Sequence, residues 1–360
     1  MGLDSVQSTR RQSNLKGIRV LFRPDAGPSV GLGHVRRCLS LAAALQALGA
    51  ECSWLLTDGD NVTRQLIRSG NYDVEFADIS EDDRDLKEII SLIRRGEFSV
   101  AVVDSYRLKG DHLLRLREEG LFVVCIDDLA QYPFPCQLVV NSRIRASQLP
   151  YSSSSGDTRF LLGSEYALLS PEFWHLPKRK PSKGVQSVVL TLGGLDTHNL
   201  MPRLIRGFDD VPVAFDLTCI VGPFFQNRAD IETAAKSCRR KIVFVESVRS
   251  VCDVMREADL AVSAGGQTLF ELAAVGTPTI AIQVADNQAG NLRDFADKGI
   301  IRFVGRFSDP DLMRVVSDAV SSLANSGQTR LKMSEIGMRL IDGLGAERVA
   351  GYVAEGLSSG

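Results

Sequence analysis

Four short stretches of this 360-residue chain, three of them with paired glycines, carry polar groups in patterns that suit a phosphorylated or sugar ligand. The first is GLGHVRRC, Gly31 to Cys38, directly after an apolar run. Gly31 and Gly33 let the backbone turn sharply and come close to a ligand. His34 then opens a helix, beside its positive end, which favours a nearby anion and disfavours an imidazolium. A neutral imidazole is suited to general acid–base work. The string is not a Walker A loop, because no Lys-Ser/Thr follows the glycines. It also departs from the dinucleotide fingerprint, because Arg36 stands at the third glycine position. A capping loop with an incidental histidine fits the same residues, and Arg36 and Arg37 read as solvated helix positions.

The second stretch is SAGGQTLFELAAVGTPTIAI, Ser263 to Ile282. Gly265 and Gly266 expose backbone N–H groups, and Gln267 and Thr268 follow in the first helical turn. That arrangement suits a diphosphate. Glu271 lies one turn on, on the same side, where its carboxylate can accept from two ribose hydroxyls. A capping Thr268 and a surface Glu271 are the alternative. The third stretch, ADNQAGN, offers Asn287 and Gln288, whose amides both donate and accept as sugar hydroxyls and acetamido groups require; a plain helix cap at Asp286 or Asn287 is the other reading. The fourth, LGGLDTHN, puts Gly193 and Gly194 at a strand end opposite His34, with His198 read as a helix-start residue. Asp104, Ser105 and Tyr106 end VAVVDS, while Asp127 and Asp128 end LFVVCIDD. These strand-end carboxylates either orient His34, bind sugar hydroxyls, or cap the helices that follow. Gly33, Asp104, Tyr106, Gly194, Asn287 and Gln288 are thus candidate substrate contacts. Gly265, Gly266, Gln267, Thr268 and Glu271 are candidate nucleotide contacts.

Elements that place these groups follow from periodicity. IRVLFR predicts a strand over 18–23, and a helix follows from about His34 to Leu48, with Val35, Cys38, Ala42 and Leu45 on one face. Gly49 suits the position just past its end. CSWLL, VAVVDS and LFVVCIDD are further strands, separated by helical or turn signals. This alternation predicts parallel sheets covered on both faces, with ligands at the strands' carboxyl ends. LPKRKPSKG, residues 176–184, has no apolar period and predicts a linker. After it SVVLTLGG, FDLTCIVG, KIVFV, DLAVSAGG and TPTIAI repeat the strand pattern, with helices from about His198 and from Gln267 to Val275. YSSSSGD, residues 151–157, reads as an exposed loop within the first domain, and RFLLGSEYALLSPEF after it as packed. The expected division is a disordered tail (1–16), a first Rossmann-like domain (17–176), a linker (177–184), a second Rossmann-like domain (185–345) and a terminal helical segment (346–360).

Composition narrows the function classes. A 44% hydrophobic and 24% charged chain is globular, and a formal charge of −2 gives no electrostatic case for a nucleic-acid partner. Seven scattered cysteines without a CxxC pair argue against a zinc site or disulfide framework and fit a reducing cytoplasm. No stretch is long and apolar enough to span a membrane, and the polar N-terminus lacks the apolar core of a signal peptide. The oligomeric state is not legible.

Together, GLGHVRRCLSLAAAL, VVDSY, IDDLA, LLGSEYALLSPEF, LTLGG-D and SAGGQTLFELAAVGTPTIAIQVADNQ resemble the UDP-2,4-diacetamido-2,4,6-trideoxy-β-L-altropyranose hydrolases of pseudaminic acid biosynthesis. That family is related to the MurG-type GT-B glycosyltransferases. The resemblance implies a GT-B fold of two Rossmann-like domains facing across a cleft, a C-terminal helix returning to the first domain, and neither metal nor other cofactor. It implies a UDP-sugar substrate, His34 as catalytic histidine, Asn287 in the active site, Gly265 to Thr268 as diphosphate loop and Glu271 as ribose ligand. Water would attack the anomeric carbon with inversion. Departures are Pro24 and Pro28 in the first loop, LDTHN in place of a serine-aspartate-proline run, and an extra N-terminal tail. A GT-B transferase and a non-catalytic nucleotide-sugar binder remain the competing readings.

Overall fold

The computed structural model describes residues 14–27, 30–56, 61–76, 82–179, 182–246 and 251–358. Among these, thirteen strands form two sheets in which every neighbouring pair is parallel. The first holds β1 (Arg19–Pro24), β2 (Glu51–Leu56), β3 (Asp73–Phe76), β4 (Val100–Asp104), β5 (Phe122–Ile126), β6 (Leu138–Asn141) and β7 (Arg159–Leu162), in the order β3-β2-β1-β4-β5-β6-β7. The second holds β8 (Ser187–Thr191), β9 (Asp216–Val221), β10 (Ile242–Glu246), β11 (Leu260–Ala264), β12 (Thr279–Gln283) and β13 (Ile301–Arg306), ordered β10-β9-β8-β11-β12-β13. Strand order reverses beside β1 and β8. Each reversal opens a crevice at the carboxyl ends of the strands, where open α/β sheets bind ligands.

The strands read as continuous apolar runs because helices cover both faces. Val20 and Phe22 pack into one core and Leu21 into the other. Helices of the first half are α1 (Gly33–Ala47), α2 (Asn61–Arg68), α3 (Asp82–Gly96) and α4 (Gly110–Glu118). Those of the second are α5 (Leu200–Gly207), α6 (Arg228–Ser237), α7 (Cys252–Glu257), α8 (Thr268–Ala274), α9 (Ala289–Asp297), α10 (Leu312–Ala324), α11 (Gly327–Leu340) and α12 (Gly345–Ser358). On α1, Val35, Cys38, Ala42 and Leu45 are all fully buried, so the expected apolar face is the packed one. Its partner is α12, whose Val349, Ala350, Val353 and Ala354 join the same core. Gly345 starts α12 against the Ala167 backbone, where a Cβ would lie 2.3 Å from the carbonyl oxygen.

Several boundaries differ from expectation for local reasons. β1 starts at Arg19 and runs to Pro24, one residue later at each end. α5 begins at Leu200 rather than near His198, because Asp196 accepts from the N–H groups of Leu200 and Met201. His198 instead stacks on Phe307 with 3.5 Å between ring centroids. The expected tail gives up its last residues to the fold: Leu15 is buried and its N–H bonds the Leu48 carbonyl. The rest of that tail, residues 1–13, lies outside the described residues, as does Pro28. Within 177–184, Arg179 is tied to Thr277 Oγ1 and the Ala258 carbonyl, and Ser182 accepts from Arg330 at 3.1 Å.

Candidate functional site

The site on the first sheet begins where β1 turns into α1. Gly31 adopts φ +82°, a conformation that favours glycine, and its N–H bonds the Gly27 carbonyl. The turn places Gly33 and His34 at the first two positions of α1. His34 is only 7% exposed. Its Nδ1 lies 2.6 Å from Oδ1 of Asp104, the last residue of β4, which pairs with β1 through Pro24. Arg37, one turn further along α1, forks onto the same carboxylate, with Nε 2.5 Å from Oδ2 and Nη2 2.7 Å from Oδ1. Its Nη1 meets both oxygens of Asp128 at 2.9 and 3.1 Å, just beyond β5. Asp128 also accepts from the Tyr106 hydroxyl at 3.1 Å, and the Tyr106 ring stands edge-on to His34, 4.9 Å between centroids. Asp25 holds this last loop by accepting from Ser105 Oγ at 2.7 Å and the Tyr106 N–H at 2.9 Å.

Charge and burial define what this cluster can do. Burial alone would raise the Asp104 carboxyl, but the Arg37 guanidinium and His34 outweigh it and lower it to about 2. Asp104 is therefore an acceptor only, and the 2.6 Å contact requires the proton on His34 Nδ1. In the neutral imidazole Nε2 then carries the lone pair, as a general base needs. Two expectations change. Asp104 is completely buried, with both oxygens engaged, so it orients His34 rather than touching substrate. Arg37 is not a solvated helix residue: its side chain is 12% exposed and paired with two aspartates. Asp127 caps its own turn, accepting from the N–H groups of Leu129 and Ala130 and from the Tyr151 hydroxyl.

On the second sheet, β11 ends in Gly265 and Gly266 and α8 follows. Gln288 ties this turn to the end of β12, its Oε1 accepting from the Gly265 N–H at 3.2 Å and the Val284 N–H at 3.0 Å. Its carbonyl end is thus structural. Gly265 is buried, and a Cβ there would lie 2.6 Å from Leu292 Cγ of α9. Gly266 and Gln267 lead into α8, which Thr268 opens and where the first backbone N–H groups lack a carbonyl four residues back. The Gln267 amide donates to the Leu168 carbonyl at 3.0 Å, so its side chain links the halves rather than standing free. Glu271 is 7% exposed, not a surface residue. Burial raises its carboxyl, with Arg36 opposing and Glu172 adding to the rise. Asn287 is exposed, and neighbouring Asp286 pairs with Arg306 at 2.7 Å.

The structure groups Gly33, His34, Asp104 and Tyr106 at one set of strand ends and Gly265, Gly266, Gln267, Thr268, Glu271 and Gln288 at the other. The loops beside them, after β1 and β8, meet across the cleft. A Cβ on Gly194 would lie 3.6 Å from Leu32 Cδ1, and one on Gly31 the same distance from Leu195 Cδ1. Arg36, two residues beyond His34, bears electrostatically on Glu271. Unforeseen contacts close the far side: Arg143 and Arg145, beyond β6, pair with Asp294 and Asp297 on α9 at 3.5 and 2.8 Å. The Arg143 guanidinium lies where a Cβ on Gly290 would be, which explains a glycine inside a helix. Arg37 was the legible omission, since i and i+3 share a helix face. Two cavities of about 330 Å³ lie away from both sets, one by Lys178 and Asp253, one by Ser53 and Phe98. Among the described residues no cluster of three or more His, Cys, Asp or Glu is arranged to hold a metal, and no helix is long and apolar enough to cross a membrane.

Comparison with known proteins adds to this geometry. Across 94% of the chain the backbone superposes on Acinetobacter baumannii MurG with a TM-score of 0.69 at 16% identity, covering 99% of that protein. The chain has the GT-B fold. Residues 209–335 of this GT-B protein match the glycosyltransferase family 28 C-terminal domain. It is 22% identical over 285 residues to the UDP-2,4-diacetamido-2,4,6-trideoxy-β-L-altropyranose hydrolase of Campylobacter jejuni, covering 78% of this chain and 97% of that protein. It is 24% identical over 276 residues to the Helicobacter pylori pseudaminic acid cytidylyltransferase and UDP-2,4-diacetamido-2,4,6-trideoxy-β-L-altropyranose hydrolase, covering 76% of this chain and 46% of that one. The chain also matches two further relatives, covering 59% of the length of each. The sequence resemblance to these hydrolases, and through them to MurG-type transferases, is therefore present over most of the chain.

Proposed function

We propose that this GT-B protein is an enzyme acting on nucleotide sugars, and that it hydrolyses a UDP-linked diacetamido-trideoxy sugar in nonulosonic (pseudaminic) acid biosynthesis. The observation that carries this reading is the buried His34–Asp104 pair at the cleft, with Nε2 of His34 left as the basic nitrogen. In the proposed step a water oxygen attacks the anomeric carbon while His34 Nε2 takes the water proton. The bond from that carbon to the β-phosphate oxygen breaks, and its electron pair leaves with UDP. Backbone N–H groups of Gly266, Gln267 and Thr268 stabilise the charge on the departing diphosphate. Glu271 accepts from the ribose hydroxyls, and Asn287 and the Gln288 amide nitrogen serve the acetamido groups. The hydrolase names of the relatives support the substrate class. Seven free cysteines, six of them buried, fit the cytoplasm as the place of action.

One observation favours a second reading. Val30, Tyr106 and Leu129 are exposed at 44%, 42% and 44%, on the three loops around His34. Such an apolar rim suits an acceptor, with His34 deprotonating a hydroxyl instead of water. The deciding experiment is an acceptor-free assay with UDP-2,4-diacetamido-2,4,6-trideoxy-β-L-altrose in ¹⁸O water, beside His34→Ala. UDP release with ¹⁸O in the free sugar, lost in the variant, is the expected result. Release only on adding an acceptor establishes a transferase, and tight binding without turnover a binding protein.

A further inference from the structure

Arg37 is nearly inaccessible to a ligand, yet each of its guanidinium nitrogens faces a partner. Nε and Nη2 fork onto Asp104, Nη1 reaches both oxygens of Asp128, and Nη2 also lies 3.1 Å from His34 Nδ1. Two donors, His34 Nδ1 and Arg37 Nη2, thus converge on Asp104 Oδ1, at 2.6 and 2.7 Å. Oδ2 receives Nε, with Cys38 Sγ at 3.8 Å. This leaves the carboxylate one orientation. Asp128 fixes the far end of the guanidinium and is itself held by the Tyr106 hydroxyl. Four elements therefore converge on one rigid polar chain running Tyr106, Asp128, Arg37, Asp104, His34.

We infer that Arg37, anchored by Asp128, is a positioning residue that holds Asp104 in the geometry selecting the Nδ1–H tautomer of His34. The role assigned to the tautomer rests on the function proposed above; the tautomer itself does not. Without the fork, Asp104 is a buried carboxylate facing one imidazole, and a buried carboxylate so deprived gains protons. A protonated Asp104 donates instead of accepting, so Nδ1 becomes the acceptor and the imidazole proton moves to Nε2, where it blocks base action. Other groups around Asp104 do not replace the guanidinium. From α1, Cys38 is a thiol that burial keeps protonated. From β5, Cys125 is likewise a thiol that burial pushes up, and Asp127 and Asp128, just beyond that strand, are acids with no positive charge to offer. Arg23 and Asp25, at the end of β1, contact each other at 3.4 Å.

The test is ¹⁵N NMR of histidine-labelled protein without substrate, with the His34 signals assigned through His34→Gln. In the neutral imidazole, wild type is expected to show Nδ1 protonated and Nε2 free, and Arg37→Met a mixture or inversion. In the acceptor-free assay Arg37→Met is expected to lower kcat by roughly 10–100-fold with KM within about threefold. The acid limb of its rate profile should move to higher pH as Asp104 takes up a proton. Arg37→Lys, which keeps the charge but not the fork, should recover only part. Asp128→Asn gives an intermediate shift and serves if Arg37→Met does not fold. Unchanged His34 spectra in folded Arg37→Met, or in Asp128→Asn where it serves instead, overturn the inference. If no UDP-sugar is hydrolysed, the hydrolase reading fails while the spectra still decide the positioning role.

Discussion

Asp104 Oδ1 sits 2.6 Å from His34 Nδ1 although 70 residues separate the two in the chain. Asp104→Asn keeps the shape but presents an amide that either donates to Nδ1 or accepts more weakly. The expected loss in kcat is roughly 10²–10⁴-fold with little change in KM, read from UDP release. The pH sign follows from the carboxyl being lowered from its ordinary value of 3.8 to about 2. Its contribution to stability is fully present above the ordinary carboxylate range and is lost as pH falls through about 2. Melting temperatures of wild type and Asp104→Asn should therefore converge as pH is lowered through that window.

Glu271 carries the opposite sign. Burial raises its carboxyl, so the folded state costs more as pH rises from the ordinary carboxylate range through the raised value. Glu271→Gln is expected to melt higher than wild type at pH 7–8, with the gain disappearing toward pH 4. The same variant should bind UDP roughly tenfold or more weakly, since hydrogen bonds to a charged acceptor are worth about 1.5–3 kcal/mol. Calorimetric UDP binding and thermal melts check both halves. Undiminished UDP affinity would remove Glu271 from the ribose site.

Gly265 and Gly266 are adjacent but are glycines for different reasons. A Cβ on Gly265 meets Leu292 at 2.6 Å, whereas one on Gly266 meets only Gln288 Nε2 at 3.9 Å. Gly265→Ala is expected to cost about 1–3 kcal/mol of stability, and nearly nothing when Leu292→Ala is already present. Gly266→Ala should change stability by no more than about 0.5 kcal/mol. It should still weaken UDP binding, because in the proposed site the added methyl stands where the diphosphate would approach. Melts on the double-mutant cycle and UDP titrations of both alanine variants separate the two roles.

Much of the architecture was legible because periodicity is local. The face of α1 formed by Val35, Cys38, Ala42 and Leu45 follows from 3.6 residues per turn, and unbroken apolar runs such as FVVCI imply a sheet covered on both sides. The motif set, read in order, also pointed to the relatives later found by comparison. The amphipathic helix α3 and the edge strands β3 and β13 were less visible: β13 lacks a two-residue alternation, with Ile301 and Val304 buried and Arg302 and Phe303 exposed, and has a glycine inside it, a weak strand signal.

What the sequence by itself determined is the alternation of strands and helices, and hence that GLGHVRRC and SAGGQTLFELAAV each lie at the carboxyl end of a strand. Side-chain fates were decided only by the tertiary structure. Arg37 looks like a solvated cation until β4 and β5 deliver Asp104 and Asp128, 67 and 91 residues away, to its guanidinium. Asp104 looks like a ligand contact until packing buries it beside His34, and the burial of Glu271, which rules out its alternative reading as a surface acid, appears only in the tertiary structure. Backbone preference depends on neighbours within a turn or two, whereas the charge, tautomer and accessibility of a side chain depend on whatever distant elements exclude water from it.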